Sequence, residues 1–211
     1  MHIVIARRLL FLGPLAAAIG GFARNAGESR LVSAARNRDR LAFDRLVSEF
    51  TPALRPFISR RVGAGDREDV LQDTWLAAWE ALPRFDGGCQ FRTWLFSICF
   101  HKIQDYWRRE QCRPLSEGIL DADGRGAYLP REFGSIEVRE SIRHIWEACT
   151  PAQRELLRLY YADGLTLQEI STVLGRKLST VKYQFYRAHE TAAKLLPAGA
   201  EESICGAEVV A

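Results

Sequence analysis

Several features that mark particular classes of protein are scarce in this sequence. Its 211 residues include one methionine, Met1, and five cysteines that form no CxxC pair. This odd number and this spacing argue against a disulfide framework as the basis of the fold. Cys99 and His101 lie close together, but no second ligand pair accompanies them, and we expect buried thiols rather than a metal site. The cysteines are Cys89, Cys99, Cys112, Cys149 and Cys205.

A strong net charge and the motifs of enzymes are also missing. The formal net charge is +3, which by itself is too small to indicate a nucleic-acid partner. The sequence contains no nucleophile–base pair, phosphate-binding loop or metal-ligand spacing. We therefore expect no catalytic residue, no metal, no cofactor and no small-molecule substrate.

Long apolar runs are confined to the N-terminus. Leu9 to Ala23 carries no charge and follows Arg7 and Arg8, as in a signal peptide, but it is too short and glycine-rich for a membrane span. Two interpretations of residues 1–27 stay open. The segment is an amphipathic or disordered extension, or the true translation start lies downstream at an alternative start codon. We expect it to have no role in the main function.

Helical periodicity is clearest between Gly164 and Leu196. Thr166 is placed to cap a helix, and Glu169, three residues later, completes a capping box. Apolar residues follow at helical spacing, and Gly175 suits a left-handed C-cap. After a short polar turn, either Ser179 or Thr180 is expected to cap a second helix.

The second helix of this stretch is polar and cationic. From Arg176 to Lys194 five cations stand against one acid, a clustering typical of proteins that bind a phosphate backbone. Two short helices joined by a tight turn predict a helix-turn-helix reader of DNA. For this stretch alone, an ordinary helical hairpin stays open as the alternative.

Three helices are predicted before residue 112. Apolar spacing indicates a helix from Leu41 to Val62, in which Pro52 either begins a second helix or kinks a single long one. Asp66 offers an N-cap to a helix from Arg67 to Leu82, which Pro83 stops.

Aromatic residues give the second and third of these helices two possible roles. Trp75 and Trp79 beside an acidic face fit either a core or a protein interface. The helix from Phe91 to Arg109 is apolar at first and ends in alternating aromatics and cations. The aromatic residues there could stack on unpaired bases while the cations hold phosphates. Alternatively, the cations only interact favourably with the negative end of the helix dipole.

The second half of the chain completes an all-α fold of two small helical domains joined by a flexible linker, with a helix-turn-helix ending the second. The capping box from Thr150 to Gln153 predicts a helix from Pro151 to Ala162. The predicted boundaries are 1–37 for an extension, 38–112 for the first domain, 113–135 for the linker, 136–197 for the second domain and 198–211 for a tail.

These stretches, in this order, resemble a bacterial RNA polymerase sigma factor of the extracytoplasmic-function (ECF) type, which keeps only regions 2 and 4. Asp66 to Trp79 is similar to the family's polymerase-binding helix, and Phe91 to Ile98 with Asp105 and Arg108-Arg109 to its promoter-melting helix. The matches to region 4 are Gln153-Arg154, Gly164-Leu165, Glu169-Ile170, Leu174-Gly175, Thr180-Val181-Lys182 and Arg187-Ala188.

The resemblance implies a protein that binds core RNA polymerase, directs it to promoters and helps to open the DNA. The expected partners are core RNA polymerase, promoter DNA and an anti-sigma factor, with the chain a monomer within the holoenzyme. The expected location is the cytoplasm, or the membrane surface when an anti-sigma factor holds the chain there.

The resemblance also assigns three sets of residues. Polymerase binding falls to Asp69, Gln72, Asp73, Trp75 and Trp79. Binding of the minus-ten element falls to Phe91, Arg92, Trp94, Lys102, Asp105, Tyr106, Arg108 and Arg109, beside the loop Phe85–Gln90. Binding of the minus-thirty-five element falls to Arg176, Lys177, Ser179, Thr180, Lys182, Tyr183, Gln184 and Arg187.

Some residues depart from the family pattern, and two other functions stay open. Phe100-His101 stands where Arg-Asn is common, and Tyr183-Gln184 stands where Ser-Arg is usual, so we expect a promoter preference of the protein's own. One alternative is a helix-turn-helix regulator that binds duplex DNA without polymerase. The other is a sigma-like decoy that titrates an anti-sigma factor.

Overall fold

The computed structural model describes residues 26–111, 144 and 146–195. The chain divides into two compact units, one with the helices up to Gln111 and the other with most of the helical chain from Trp146 onward. The described residues contain no strand, which confirms the predicted all-α fold of two helical units. The helices are α1 (Ala26–Arg36), α2 (Arg40–Ser59), α3 (Arg67–Ala81), α4 (Phe91–Gln111), α5 (Pro151–Leu157), α6 (Leu167–Leu174) and α7 (Leu178–Leu195).

Several predictions concern residues outside the described ranges. They are the apolar run at 9–23, the linker at 113–135 and the tail at 198–211. The boundaries drawn from the sequence therefore stay predictions. Among the helices that the structure describes, none combines the length and apolarity needed to cross a membrane.

Helix α1 joins the packed helices of the first unit, although the sequence predicted an extension up to residue 37. Its Ala35 is completely buried, and α1 packs on α2. In the following turn Arg38 takes a left-handed φ of 66°. Its guanidinium donates to the Trp79 carbonyl at 3.1 Å and lies 5.0 Å from the centre of the Trp79 ring. These contacts fix the α1–α2 turn against α3.

Helix α2 runs without interruption through Pro52 and Pro56. Of the two possibilities for Pro52, the structure therefore shows a single helix. Both prolines lie on the exposed side, where carbonyls that lose a helical donor can bond to water. The opposite side buries Leu54 and Phe57 completely, and this packing offsets the loss of about 3 kcal/mol per interior proline.

The core of the first unit is aromatic and joins α2 to α4. The ring centres of Phe57 and Phe96 lie 4.7 Å apart, and those of Phe50 and Phe91 lie 5.2 Å apart, in edge-to-face contact. Such pairs add about 0.5–1.5 kcal/mol each to the burial of apolar area. The early part of α4 is therefore fixed by the core, as its apolar sequence predicted.

The end of α4 holds the loop that precedes α3. The Tyr106 hydroxyl donates to Asp66 at 3.1 Å, and the Trp107 indole donates to the Arg61 carbonyl at 3.0 Å. Asp66 precedes α3 but makes no capping hydrogen bond with its side chain, so its predicted N-cap was wrong in that respect. A partner forty residues further along the chain takes the carboxylate instead.

The second unit begins at the predicted capping box. The Gln153 backbone N–H donates to the Thr150 hydroxyl, and the Gln153 side-chain oxygen accepts from the Thr150 backbone N–H. The predicted helix from Pro151 to Ala162 is α-helical as far as Leu157, which is α5, and π-helical over Arg158–Ala162. This turn brings Tyr160 to 4.7 Å from the fully buried Phe185 of α7, measured between ring centres.

The helix-turn-helix forms as the sequence predicts, except at the start of α7. Thr166 and Glu169 form the expected capping box. Gly175 has a φ of 61° and closes α6 with Arg176, whose N–H donates to the Ser171 carbonyl at 2.9 Å.

Helix α7 begins earlier than predicted. The Val181 N–H donates to the Lys177 carbonyl at 3.1 Å, and the helix starts at Leu178. Ser179 and Thr180 therefore lie inside the first turn, so the predicted cap at either residue was wrong.

Candidate nucleic-acid and protein interfaces

Helix α3 presents an acidic face with one large apolar residue in its middle. Asp69, Gln72 and Glu80 are exposed and recur at helical spacing. Leu76 lies among them and is 60% exposed. Sequence reasoning missed Leu76, because an apolar residue is assigned to the core by default. An apolar residue surrounded by polar ones matches the pattern of an interface centre and its rim.

The two tryptophans of α3 contact α2 and the turn that precedes it. Trp75 is only 8% exposed, and its indole donates to the Thr51 hydroxyl at 3.1 Å. The half-buried ring of Trp79 lies 4.8 Å from that of Phe43, between centres, with Arg38 against it. Both tryptophans therefore pack within the first unit, with Trp75 buried and Trp79 half-buried.

The cationic end of α4 is balanced by carboxylates. Arg108 pairs with Asp105 at 3.1 Å, and Arg109 pairs with Asp73 of α3 at 3.5 Å. These four residues and Lys102 line an open hollow on the surface. Exposed pairs of this kind contribute about 0–1 kcal/mol, so a stronger anion such as a phosphate can displace the carboxylates.

The beginning of α4 and the loop before it form an aromatic group. Phe91 is 3% exposed and lies in the core, whereas Trp94 is half-buried with its ring centre 5.0 Å from that of Phe85. Arg92 lies over the Phe96 ring at 4.7 Å. In the loop, Gly87 takes a φ of 78°, which suits glycine. Phe91, one of the predicted minus-ten residues, therefore packs beneath this surface and holds Phe85 and Trp94 in place.

Helix α7 separates an apolar face from a polar one. Val181, Phe185 and Ala188 are completely buried. The eight residues predicted from the sequence all lie at the surface of the turn and helix, and Gln184 alone among them is half-buried. Tyr186 is also exposed on this helix, and sequence reasoning did not single it out. The eight residues are Arg176, Lys177, Ser179, Thr180, Lys182, Tyr183, Gln184 and Arg187.

Two contacts order polar side chains on this face. The Arg176 guanidinium donates to the Gln184 amide oxygen at 3.1 Å, which connects the turn to the second turn of α7. Arg187 pairs with Glu190 at 3.2 Å. The result is a cationic surface on a rigid helix, which is the arrangement that helix-turn-helix proteins place in the major groove.

A histidine on the inner side of α7 is held neutral. His189 lies 4.4 Å from Phe185 between ring centres, and its Nε2 is 3.1 Å from the Tyr161 hydroxyl oxygen. Burial lowers the pKa of His189 from its ordinary value. Burial also raises the pKa of the Tyr161 hydroxyl, which stays protonated. The pair therefore packs as two neutral groups.

We expect acid to destabilise the second unit through His189. Because its folded pKa is lowered, the unfolded chain binds a proton more readily, and stability is lost as pH falls below about 6.5. The thermal midpoint of the wild-type unit should fall between about pH 7.5 and pH 5.5 by more than that of His189→Gln. Equal falls in the two proteins would show that another group carries the acid sensitivity.

Two of the cysteines expected to be buried thiols are buried. Cys99 lies in the core of the first unit and Cys149 lies before α5, and both are thiols rather than disulfides; Cys89 is only half-buried. Burial raises the pKa of the Cys149 thiol, although the nearby Arg154 lowers it in part. The Cys149 thiol is therefore not an activated nucleophile.

Comparisons with known proteins match both helical units. The model of Sigma-70 region 2 matches residues 46–113, and that of Sigma-70, region 4 matches residues 140–190. The ECF RNA polymerase sigma-E factor of Escherichia coli (strain K12) is 28% identical over 170 residues, covering 76% of this chain and 89% of that protein. That of Haemophilus influenzae is 24% identical over 173 residues, covering 77% and 92%.

Two solved structures share the fold. CnrH in complex with the cytosolic domain of CnrY is 26% identical with a TM-score of 0.53, covering 82% of this chain and 99% of CnrH. The sigma factor RpoE in complex with the anti-sigma factor NepR from Bartonella quintana is 26% identical with a TM-score of 0.52, covering 74% and 98%.

The two matched regions, in this order on two helical units, define a transcription initiation factor of the sigma-70 class. With its sigma-E relatives, the chain belongs to the ECF sigma factors. Its function is to bind core RNA polymerase and direct it to promoter DNA, as the resemblance implied. Neither the polymerase-independent regulator nor the decoy is favoured by these matches.

Proposed function

We propose that this sigma factor works through three surfaces, each on one helix. The acidic face of α3 binds core polymerase, the end of α4 with the loop Phe85–Gln90 binds the unpaired minus-ten strand, and α7 enters the major groove at the minus-thirty-five element. The observation that carries the proposal is α7, which combines a cationic exposed face with a completely buried apolar face.

The polymerase surface is centred on Leu76. Asp69, Gln72 and Asp73 surround it with polar groups, as the rim of an interface does. Trp75 and Trp79 contribute by fixing the position of α3 rather than by touching the partner. This assignment keeps the predicted polar residues and gives the tryptophans a supporting role.

The minus-ten surface offers aromatic rings beside exchangeable cations. Trp94 is half-buried and Trp107 is partly exposed, while Arg108 and Arg109 carry weak ion pairs that a phosphate can replace. Stacking of one unpaired base contributes about 1–3 kcal/mol, which offsets the energy of unpairing it. The protein therefore opens DNA by binding, without bond chemistry and without a cofactor.

Removing Lys182 and Arg187 should flatten the salt dependence of promoter binding. Each phosphate contact contributes roughly 0.9 to the slope of log affinity against log salt, so the double alanine variant of the holoenzyme should lose about 1.8 from that slope. Fluorescence anisotropy on a labelled upstream element measures it.

The control removes two cations from elsewhere. Arg30 and Arg36 are exposed on α1, and their double alanine variant should keep the wild-type slope. A slope unchanged in the Lys182 and Arg187 variant would remove α7 from the phosphate backbone. A slope that falls equally in both variants would show an effect of net charge alone.

We further propose an anti-sigma factor as a partner and the cytoplasm as the location. The support is that two relatives with similar folds were solved in complexes, one of them with an anti-sigma factor by name. Core RNA polymerase, the principal partner, works in the bacterial cytoplasm. We also propose that the chain acts as a monomer within the holoenzyme.

A further inference from the structure

Arg176 and Gln184 act as one polar unit across the turn of the helix-turn-helix. The guanidinium Nη1 lies 3.1 Å from the Gln184 Oε1. Arginine has only donors, so its partner in the amide must be the oxygen, and this fixes which end of the amide is which. The Arg176 backbone is held as well, because its N–H closes α6 on the Ser171 carbonyl.

The position of this unit on α7 suits contact with a base. Gln184 lies four residues after Thr180 and three before Arg187, at the flank of the exposed face. It lies in the second turn of the helix, and the N-terminal part of a recognition helix is the part that meets base edges. Arg176 is exposed beside it.

The hydrogen bond changes what Gln184 offers to a base. A free glutamine presents an acceptor and a donor together, which match the N6 amino group and N7 of adenine. Here the acceptor is engaged, and a cation stands beside it that repels a second donor. What the pair still offers is the amide N–H₂ and the remaining guanidinium N–H groups, all of them donors. Guanine presents two acceptors, O6 and N7, on its major-groove edge.

We propose that the Arg176–Gln184 pair selects guanine over adenine at one position of the upstream promoter element. The proposal rests on the proposed placement of α7 in the major groove. It deepens that function by naming the base and the two side chains that choose it. A well-made contact of this kind discriminates against the wrong base by about 5- to 150-fold.

The test uses holoenzyme assembled from core polymerase and the full chain. Upstream elements are selected from random sequence next to a fixed minus-ten element, and affinities are then measured for all four bases at each selected position. The wild type should select a guanine and bind the adenine substitution at least fivefold more weakly. Arg176→Ala frees the amide oxygen and should move the preference at that position from guanine to adenine, together with a uniform loss of affinity.

Two further variants separate charge from base choice. Lys177→Ala removes the same charge from the same turn and should weaken binding to all four bases by the same factor. Gln184→Glu keeps an acceptor for Arg176 but loses both amide donors, so the preference for guanine should disappear. Arg176 and Lys177 are exposed and Gln184 is half-buried, and thermal melts that match the wild type confirm folding.

Two results would overturn the inference in distinguishable ways. If the wild type selects an upstream element but Arg176→Ala weakens every base equally, Arg176 contacts only phosphate and the inference fails alone. If the wild-type holoenzyme selects no upstream element, the placement of α7 at the minus-thirty-five element fails, and the inference fails with it.

Discussion

Replacing Phe185 with alanine should unfold the second helical unit. Phe185 is completely buried, and its ring lies 4.7 Å from Tyr160 and 4.4 Å from His189 between centres. Removing a buried phenylalanine ring costs about 3–5 kcal/mol. A unit of this size rarely has more than about 3–5 kcal/mol of stability, so the variant should lose most of its folded population.

The unfolding should be confined to one unit. Circular dichroism should show a loss of the helical signal of the second unit, and binding to the upstream element should vanish. Affinity for core polymerase through α3 should fall much less. Phe185→Leu conserves most of the volume and serves as the control, with a loss of less than about 1.5 kcal/mol. A cooperative wild-type melt in Phe185→Ala would contradict the packing described for α7.

Replacing Leu76 with aspartate should strongly reduce binding to core polymerase. Leu76 is the large apolar residue of an otherwise polar face, and it is 60% exposed, so the substitution leaves the core of the chain intact. A hot-spot residue at the centre of an interface contributes about 2 kcal/mol or more, which corresponds to a loss of about thirtyfold in affinity.

A second exposed leucine provides the matched control. Leu41 lies in the first turn of α2 and is 76% exposed. Leu41→Asp introduces the same charge on another helix, and it should leave core affinity within about twofold of wild type. Equal affinities for the two variants would contradict the docking role of the α3 face. Both leucine variants should melt like the wild type. Trp75→Ala should instead lower the melting temperature of the first unit, because Trp75 is buried.

Local signals in the sequence were enough to predict much of the second unit. The capping boxes at Thr150 and Thr166 formed as expected, and so did the left-handed C-cap at Gly175. Each of these depends on residues within one turn of one another, so a short window contains the whole interaction. The periodicity of α7 likewise separated its buried and exposed faces correctly.

Interactions between distant residues could not be predicted in this way. Asp66 accepts a hydrogen bond from Tyr106 instead of capping α3, and Arg38 donates one to the Trp79 carbonyl. In each case the two residues are about forty positions apart in the sequence. The continuity of α2 through Pro52 depends on core packing that offsets a strong local penalty. The start of α7 at Leu178 was missed because Ser179 and Thr180 are both good caps, and the turn geometry decided otherwise.

The same contrast between local pattern and tertiary packing holds for the residues of the candidate surfaces. The sequence found the exposed polar residues of α3 and α7, because polar groups seldom lie in a core without a partner. It did not single out Leu76, which is apolar and exposed, and it listed among the DNA-binding residues Phe91, which is aromatic and buried. Burial of an individual apolar residue depends on the tertiary packing of its helix, which the periodicity of a single helix does not contain.

Transcription in vitro tests the central claim most directly. Purified chain and core polymerase are supplied with promoters selected from random DNA by the holoenzyme, and run-off transcripts are measured. We expect transcripts only when both proteins are present, and only from promoters that carry a shared upstream element and a shared minus-ten element. Selected DNA that the chain binds without core polymerase, with no transcript when core is added, would contradict its function as a sigma factor.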